Sequence, residues 1–329
     1  MTSAGDSPLR QALWPLGLAW CAVSAARNGL YDRGVLRARR IAATVVSVGN
    51  LSVGGTGKTP TVAWLCEFAK RRGKRPGVLA RGYGRAPGAK LNDEGTMLQR
   101  RMPWLLQEQA PDRVAGGERL ASLRANYIVL DDGFQHRRLH RDLDLVCVDA
   151  MRPFGNGMCL PAGELREARF GLRRAGMVFV TRCGAASPGE LVERVARLRD
   201  LAGKDKPVFL TDHQPVDLVA MPEGVALPLR DLRGRRCVLL SGIARPASFR
   251  ATVEALGGEV VAEHRHRDHH RFTVDEVAAA ARAAIAADAW LLTTEKDDAR
   301  MPAGAPSRYA LRIALQFLDG TPSPAELLL

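Results

Sequence analysis

The stretch Ser52-Val53-Gly54-Gly55-Thr56-Gly57-Lys58-Thr59 carries the strongest chemical signal in the chain. It follows the β-branched run ATVVSV at 43–48 and leads into a segment of helical spacing at 58–72. Its glycines let backbone amides wrap a polyphosphate, the Lys58 ammonium can reach the β and γ oxygens, and the Thr59 hydroxyl suits Mg²⁺. One position departs from the usual spacing: Ser52 stands where a first glycine is the rule. The competing reading is a glycine-rich turn that happens to open a helix. Strand, glycines, lysine and threonine in this order argue against it.

Asp131-Asp132 follows the apolar run 127–130. Carboxylates at the end of a parallel strand face the ligand crevice, where a P-loop enzyme needs a partner for Mg²⁺. Asp-Asp-Gly is also ordinary turn chemistry, and the glycine loop upstream favours the functional reading. Arg81-Gly82-Tyr83-Gly84-Arg85 lies just past another strand-like run and offers cations beside phosphate. Arg137, Arg138 and Arg141 read by default as a solvated basic face. The cluster His264, His266, Asp268, His269 and His270 admits three readings: a zinc site without the common ligand spacing, a general base at His269, or a basic surface loop. Glu295-Lys296-Asp297-Asp298 has Glu where a guanine-reading Asn-Lys-x-Asp motif needs Asn, which argues against a GTPase.

These residues need a scaffold, and 329 residues allow about two domains. Apolar residues are 46% and charged residues 25%, a globular composition. The net charge of +13 favours anionic partners: membrane, phosphate-bearing substrates or nucleic acid. With only 5% aromatic residues and no basic-aromatic interleaving, nucleic acid is not expected. The six scattered cysteines read as reduced thiols. Residues 12–26 carry no charge but two tryptophans, Trp14 and Trp20, and are too short to cross a bilayer. Arg10 before them and Ala25-Ala26 after them also fit a signal peptide, against which stands a glycine loop that needs cytosolic nucleotide. With Arg27, Arg33, Arg37, Arg39 and Arg40 behind it, the stretch reads as an interfacial helix or a helix packed on the core.

Strand-like runs alternate with helical segments, which implies an α/β, doubly wound, mostly parallel sheet. The expected organisation is an N-terminal helix and basic segment at 1–40, a P-loop domain at 41–205, a linker at 206–236 and a second, smaller α/β domain at 237–329. The closing run 309–317 is expected to pair back to 208–210.

Taken in order, several blocks resemble the tetraacyldisaccharide 4′-kinases of lipid A biosynthesis. They are Val48-Gly49-Asn50-Leu51 running into the glycine loop, Arg81-Gly82-Tyr83-Gly84, Asp131-Asp132-Gly133-Phe134-Gln135-His136, Phe154-Gly155-Asn156-Gly157, Leu160-Pro161-Ala162-Gly163 with Leu165-Arg166-Glu167, Asp268-His269-His270 and Thr294-Glu295-Lys296-Asp297. That family's loop also lacks the first glycine, so Ser52 fits it. The resemblance implies ATP- and Mg²⁺-dependent phosphorylation of the 4′-hydroxyl of a tetraacylated glucosamine disaccharide 1-phosphate. It also implies two α/β domains facing a cleft, and an N-terminal helix seated on the anionic cytoplasmic face of the bacterial inner membrane. A monomer is expected.

Carried over residue by residue, the family's catalytic pair falls on Asp93 and His269. Residues 52–59 take ATP, and Thr59, Asp132 and Glu167 take Mg²⁺. Asn50, Arg81, Tyr83, Asp131, Gln135, His136, Arg166 and Asp268 complete the site. Asn92 departs from the glycine usual before the Asp-Glu pair. The alternative, a P-loop ATPase or GTPase switch acting as a metallochaperone, explains the glycine loop and leaves the other blocks unexplained.

Overall fold

The computed structural model describes residues 12–86 and 88–329; Arg10, the start of the expected signal-peptide pattern, lies outside them. Two compact units divide the chain. The first takes in residues up to 83, 104–213 and 315–329, and the second residues 84–103 and 214–314.

The strands of the first unit are β1 (Thr44–Gly49), β2 (Pro76–Ala80), β3 (Leu106–Gln109), β4 (Tyr127–Asp131), β5 (Leu143–Asp149), β6 (Met177–Thr181) and β7 (Val208–Met221), whose first residues belong here. They run in the order β7-β6-β5-β1-β4-β2-β3. All six of these pairings are parallel. β1 lies between β4 and β5 and is buried from Val45 onward, as an unbroken β-branched run requires. Since the strands are parallel, the carboxyl ends of β1, β4, β5 and β6 share one edge of the sheet.

Helix α1 (Trp14–Asp32) presents Gly17, Cys21, Ser24, Ala25 and Asn28 to this unit at helical spacing. Trp14, Leu16, Leu18, Trp20 and Val23 stay exposed. One face of the helix therefore docks on this unit, as the core-packing reading expects, and the other remains apolar and uncovered. No described helix is long and apolar enough to cross a membrane. The cysteine reading is corrected: Cys21 on α1 is disulfide-bonded to Cys159, with Cα atoms 5.9 Å apart. A separation of 138 residues hides that pairing from spacing arguments. Cys66, Cys147, Cys183 and Cys237 are buried free thiols.

The second unit holds β8 (Val225–Leu227), β9 (Arg236–Ser241), β10 (Glu259–Arg265), β11 (Trp290–Thr294) and most of β12 (Arg308–Phe317), whose last three residues belong to the first. The order is β10-β9-β11-β12-β7. The pairings among β9 to β12 are parallel, and β8 pairs antiparallel with β7. Alternate residues of β9 feed two cores. Val238 and Leu240 pack with Val277, Ala280 and Ala284, while Cys237 and Leu239 pack with Phe249 and Val253.

The expected linker at 206–236 instead carries β7 and β8. Residues 208–210 of β7 pair with β6, and residues 218–220 pair with β8. Pro215 falls between those two registers.

Candidate active site

The first cluster gathers at the carboxyl ends of β1 and β4. The glycine loop leaves β1, and α2 (Lys58–Arg71) begins at its end with Gly57 as N-cap, at φ +80°. Such a left-handed residue needs glycine and turns the first amides of the helix toward the loop. The Thr181 hydroxyl at the end of β6 donates to the Thr56 carbonyl at 2.9 Å and pins the loop to the sheet. Buried in the same region, Thr56 Oγ and Asn50 Oδ1 have no protein partner.

Lys58 Nζ sits 3.5 Å from Asp132 Oδ1. Arg166 Nη1 donates to both Asp132 oxygens at 2.7 Å. Burial alone would raise the Asp132 carboxyl, but Lys58 and Arg166 outweigh it and hold it below its ordinary value. Arg166 reaches that place because residues 164–166 run along the loop's entry: Val53 N–H donates to Glu164 O and Arg166 N–H to Leu51 O. Asp131 closes β4 opposite Val48 and is buried. Arg81 and Tyr83 lie just past β2 and are exposed, Tyr83 at 85%.

Glu167 is only 3% exposed. Its Oε2 accepts from Asn28 (2.7 Å) and Arg174 (2.8 Å), and its Oε1 from Gln135 (3.0 Å) and Arg174 (2.9 Å). The same Gln135 amide donates to Asn50 O at 2.9 Å, and Asn50 donates to Ser52 O at 2.5 Å. From α1, Trp20 Nε1 donates to Arg166 O at 2.8 Å and Arg27 to Gln135 O. The docked face of α1 is therefore tied to the residues that shape the phosphate loop.

His136 is pushed down to about 4 by burial, then by Arg113 and Arg141, so it is neutral at pH 7. Arg113, at the start of α4 (Arg113–Ser122), is 7% exposed and feels Arg81, Asp132 and Asp131. Sequence reasoning missed it. Its helix contains Gly116-Gly117, which reads as a breaker, yet a Cβ at either position would meet Leu79 Cδ1 or Ile41 Cδ1 at 2.7 Å.

The second cluster lies wholly within the second unit. Asn92 caps α3 (Asp93–Arg101), its Oδ1 accepting from Gly95 N–H at 3.0 Å, so the departure from glycine supplies a good N-cap and leaves Asp93 in the first turn. The fully buried side chain of Arg300 joins the parts: Nε donates to Asp93 Oδ2 at 3.0 Å, Nη1 to Gly242 O (3.0 Å) and Asp297 Oδ1 (3.1 Å), and Nη2 to His269 Nδ1 at 3.0 Å. His269 has φ +62°, its N–H bonds Asp268 Oδ1 at 2.9 Å, and its side chain is 63% exposed. Burial, Lys296 and Arg300 hold its imidazole below the ordinary value. Asp93 and His269 are thus brought together on a residue that no motif announced. Asp297 is occupied by Arg300 and by the Thr294 hydroxyl. Asp298 is occupied by Arg100 and Arg308, so Glu295-Lys296-Asp297-Asp298 is a structural knot here.

The glycine loop on a central parallel strand, with its lysine and neighbouring carboxylate, places the chain among the P-loop phosphotransferases. Comparison with known proteins narrows the class. The family model described as Tetraacyldisaccharide-1-P 4'-kinase matches residues 9–329, and the chain belongs to that family. It is 45% identical over 316 residues to a tetraacyldisaccharide 4'-kinase of Anaeromyxobacter sp. (strain K), covering 91% of this chain and 83% of that one. It is 37% identical to the kinase of the same name from Geobacter sulfurreducens, over 90% and 86% of the two chains. Among solved structures, LpxK from Aquifex aeolicus in complex with ATP superposes with a TM-score of 0.76 at 28% identity, covering 94% of this chain and 95% of that one. The chain is an enzyme, a kinase with a hydroxyl acceptor, and the metallochaperone alternative finds no support.

Proposed function

We propose that this chain transfers the γ-phosphoryl group of ATP to the 4′-hydroxyl of a tetraacylated glucosamine disaccharide 1-phosphate, at the cytoplasmic face of the inner membrane. The observation that carries the reading is the Lys58–Asp132 pair at the head of the glycine loop, in a chain that matches the kinase family from residue 9 to residue 329.

The first unit supplies the donor side. Loop amides from 53–59 and Lys58 hold the triphosphate, and Arg166 lies beside them through Asp132. The donor set fits Mg²⁺: the Thr59 hydroxyl in the first turn of α2 and the Asp132 carboxylate just past β4 are hard oxygen ligands, and they would hold it. When bound, Mg²⁺ neutralises charge on the phosphate oxygens. Glu167 is buried with both oxygens filled by nitrogen donors, whereas Asp132, also held by Lys58 and Arg166, keeps 39% of its side chain exposed; Glu167 therefore suits a positioning role, orienting Gln135 and anchoring α1 through Asn28.

The second unit supplies the acceptor side. Arg300 can only donate, so His269 Nδ1 accepts, and a neutral imidazole then carries its proton on Nε2. His269 therefore offers a donor to the sugar hydroxyl oxygen, and the Asp93 carboxylate takes the proton. This sharpens the expectation that the two residues share the base role. Proton removal contributes about 10²–10⁴-fold, and positioning with charge neutralisation contributes the rest. The exposed apolar face of α1, with Trp14 and Trp20 at its edge, suits an interfacial seat beside the lipid substrate.

The test is transfer of labelled γ-phosphate from ATP to detergent-solubilised tetraacyl disaccharide 1-phosphate, with Lys58→Ala as control. A new 4′-phosphate that is absent with the variant supports the reading. ATP hydrolysis without transfer overturns it.

A further inference from the structure

Around Cys21, helix α1 lies against the segment 158–166. One turn earlier, a Cβ at Gly17 would stand 2.9 Å from Cys159 O and 3.0 Å from Ala162 Cβ, so only glycine allows so close an approach. Beside it Trp20 Nε1 donates to Arg166 O, and Cys21 is bonded to Cys159. The same segment is wired to the phosphate loop. Cys159 and Ser52 both bridge to Leu165, while Val53 N–H donates to Glu164 O and Arg166 N–H to Leu51 O. One residue, Leu165, therefore separates the sulfur bridge from the first residue of the glycine loop.

The two sulfurs also differ from the other thiols. Cys66, Cys147, Cys183 and Cys237 are buried and unpaired, and burial raises each of them, to about 11 for Cys147, Cys183 and Cys237. They stay protonated near neutral pH and do not compete in thiol exchange. Cys21 is half-buried while Cys159 is 3% exposed, so Cys21 carries the sulfur that a small reagent reaches. In a compartment kept reducing by thiols, such a bond is transient and redox-sensing rather than permanent.

We propose that Cys21 and Cys159 form a reversible thiol–disulfide latch, which fastens α1 to the entry of the phosphate loop when the surroundings turn oxidising. The oxidant is a small disulfide such as oxidised glutathione. The Cys21 thiolate attacks one of its sulfurs and releases one glutathione thiolate; the Cys159 thiolate then attacks the Cys21 sulfur of the mixed disulfide and releases the second. Two cysteine thiols are oxidised to one disulfide, one glutathione disulfide is reduced to two thiols, and the two cysteine protons end on glutathione. In the dithiol state α1 is held by the hydrogen bonds of Trp20, Arg27 and Asn28, without the covalent tie. The reducing setting rests on the cytoplasmic site proposed above; the chemistry of the pair does not.

The test equilibrates the full-length chain with reduced glutathione alone, or with oxidised glutathione added, then alkylates it after denaturation and weighs it. Six alkylated thiols are expected in the first buffer and four in the second, with the peptides bearing Cys21 and Cys159 joined. Amide exchange across residues 14–32 should be slower by about tenfold or more in the oxidised protein, because the bond restricts the opened helix. Cys21→Ala keeps a good helix former on α1 and should exchange at the reduced rate in both buffers. A bond that persists in excess reduced glutathione, thiols that never pair, or exchange across α1 that is equal in the two states overturns the proposal. These readouts need neither ATP nor lipid, so their failure and a failure of the kinase assay are told apart.

Discussion

The two clusters hold their charged groups by different means. In the first unit a cation, Lys58, and a carboxylate, Asp132, stand at the ends of a helix and a strand, and much of the phosphate-facing surface is backbone. In the second unit one buried guanidinium, Arg300, fixes Asp93, His269, Asp297 and the Gly242 carbonyl at once. The first design tolerates loss of a side chain because the loop is built by the sheet. The second does not, since removing Arg300 leaves two carboxylates without their shared partner. Rate and stability should therefore separate in one cluster and fall together in the other.

That contrast is sharpest at Lys58 and Arg300. Lys58→Ala should lower the transfer rate by at least about 10²–10³-fold, the loss seen when one preorganised donor to developing charge is removed, with little change in Tm. Arg300→Ala should lose activity and also about 3–5 kcal/mol of stability in denaturant unfolding, as broken buried ion pairs do. An Arg300→Ala protein of wild-type stability would break the comparison.

A smaller effect is expected where α1 meets the phosphate loop. Glu167→Gln exchanges an anion for an amide beside Arg174 and Asn28. It should destabilise by about 1–3 kcal/mol, the cost of a poorly satisfied buried polar group, and raise KM for the lipid while ATP affinity stays the same. A large drop in Mg²⁺ affinity would instead restore Glu167 as a metal ligand.

The units should also differ in pH dependence, where they respond with opposite sign. His136 and His213 are held at about 4 in the folded first unit, chiefly by burial, against about 6.5 when unfolded. The unfolded chain binds more protons between those values, so their contribution to stability is full above about 6.5 and lost as pH falls through about 4. Glu295, in the second unit, is raised to about 7 by burial. Its contribution is full below about 4.5 and lost as pH rises through about 7. Hydrogen exchange against pH, read segment by segment, should show the first unit loosening in acid and Glu295→Gln removing the opposite trend in the second.

How much of this could be read in the sequence follows from the same contrast. The glycine loop, Asp131-Asp132 and the β-branched strands are local patterns, and the runs read at 43–48, 58–72 and 127–130 lie within one residue of the observed ends of β1, α2 and β4. The second cluster is assembled from residues 93, 269 and 300. Only the family resemblance pointed to Asp93, a general base at His269 was one of three readings of its segment, and nothing pointed to Arg300. No motif pointed to Arg113, and β7 was hidden because Pro215 and its aspartates imitate a linker. The Cys21–Cys159 bond and the Asn28–Glu167 contact join segments more than a hundred residues apart, beyond the reach of periodicity.

The most direct measurement is Asp93→Asn, with ATP affinity and single-turnover phosphoryl transfer determined on the same protein. The account predicts unchanged ATP affinity and transfer slowed by about 10²–10⁴-fold, because the donor side lies in the first unit and the base in the second. Near-normal transfer in Asp93→Asn, with Lys58→Ala still inactive, would contradict the assignment of proton removal to the Arg300 cluster.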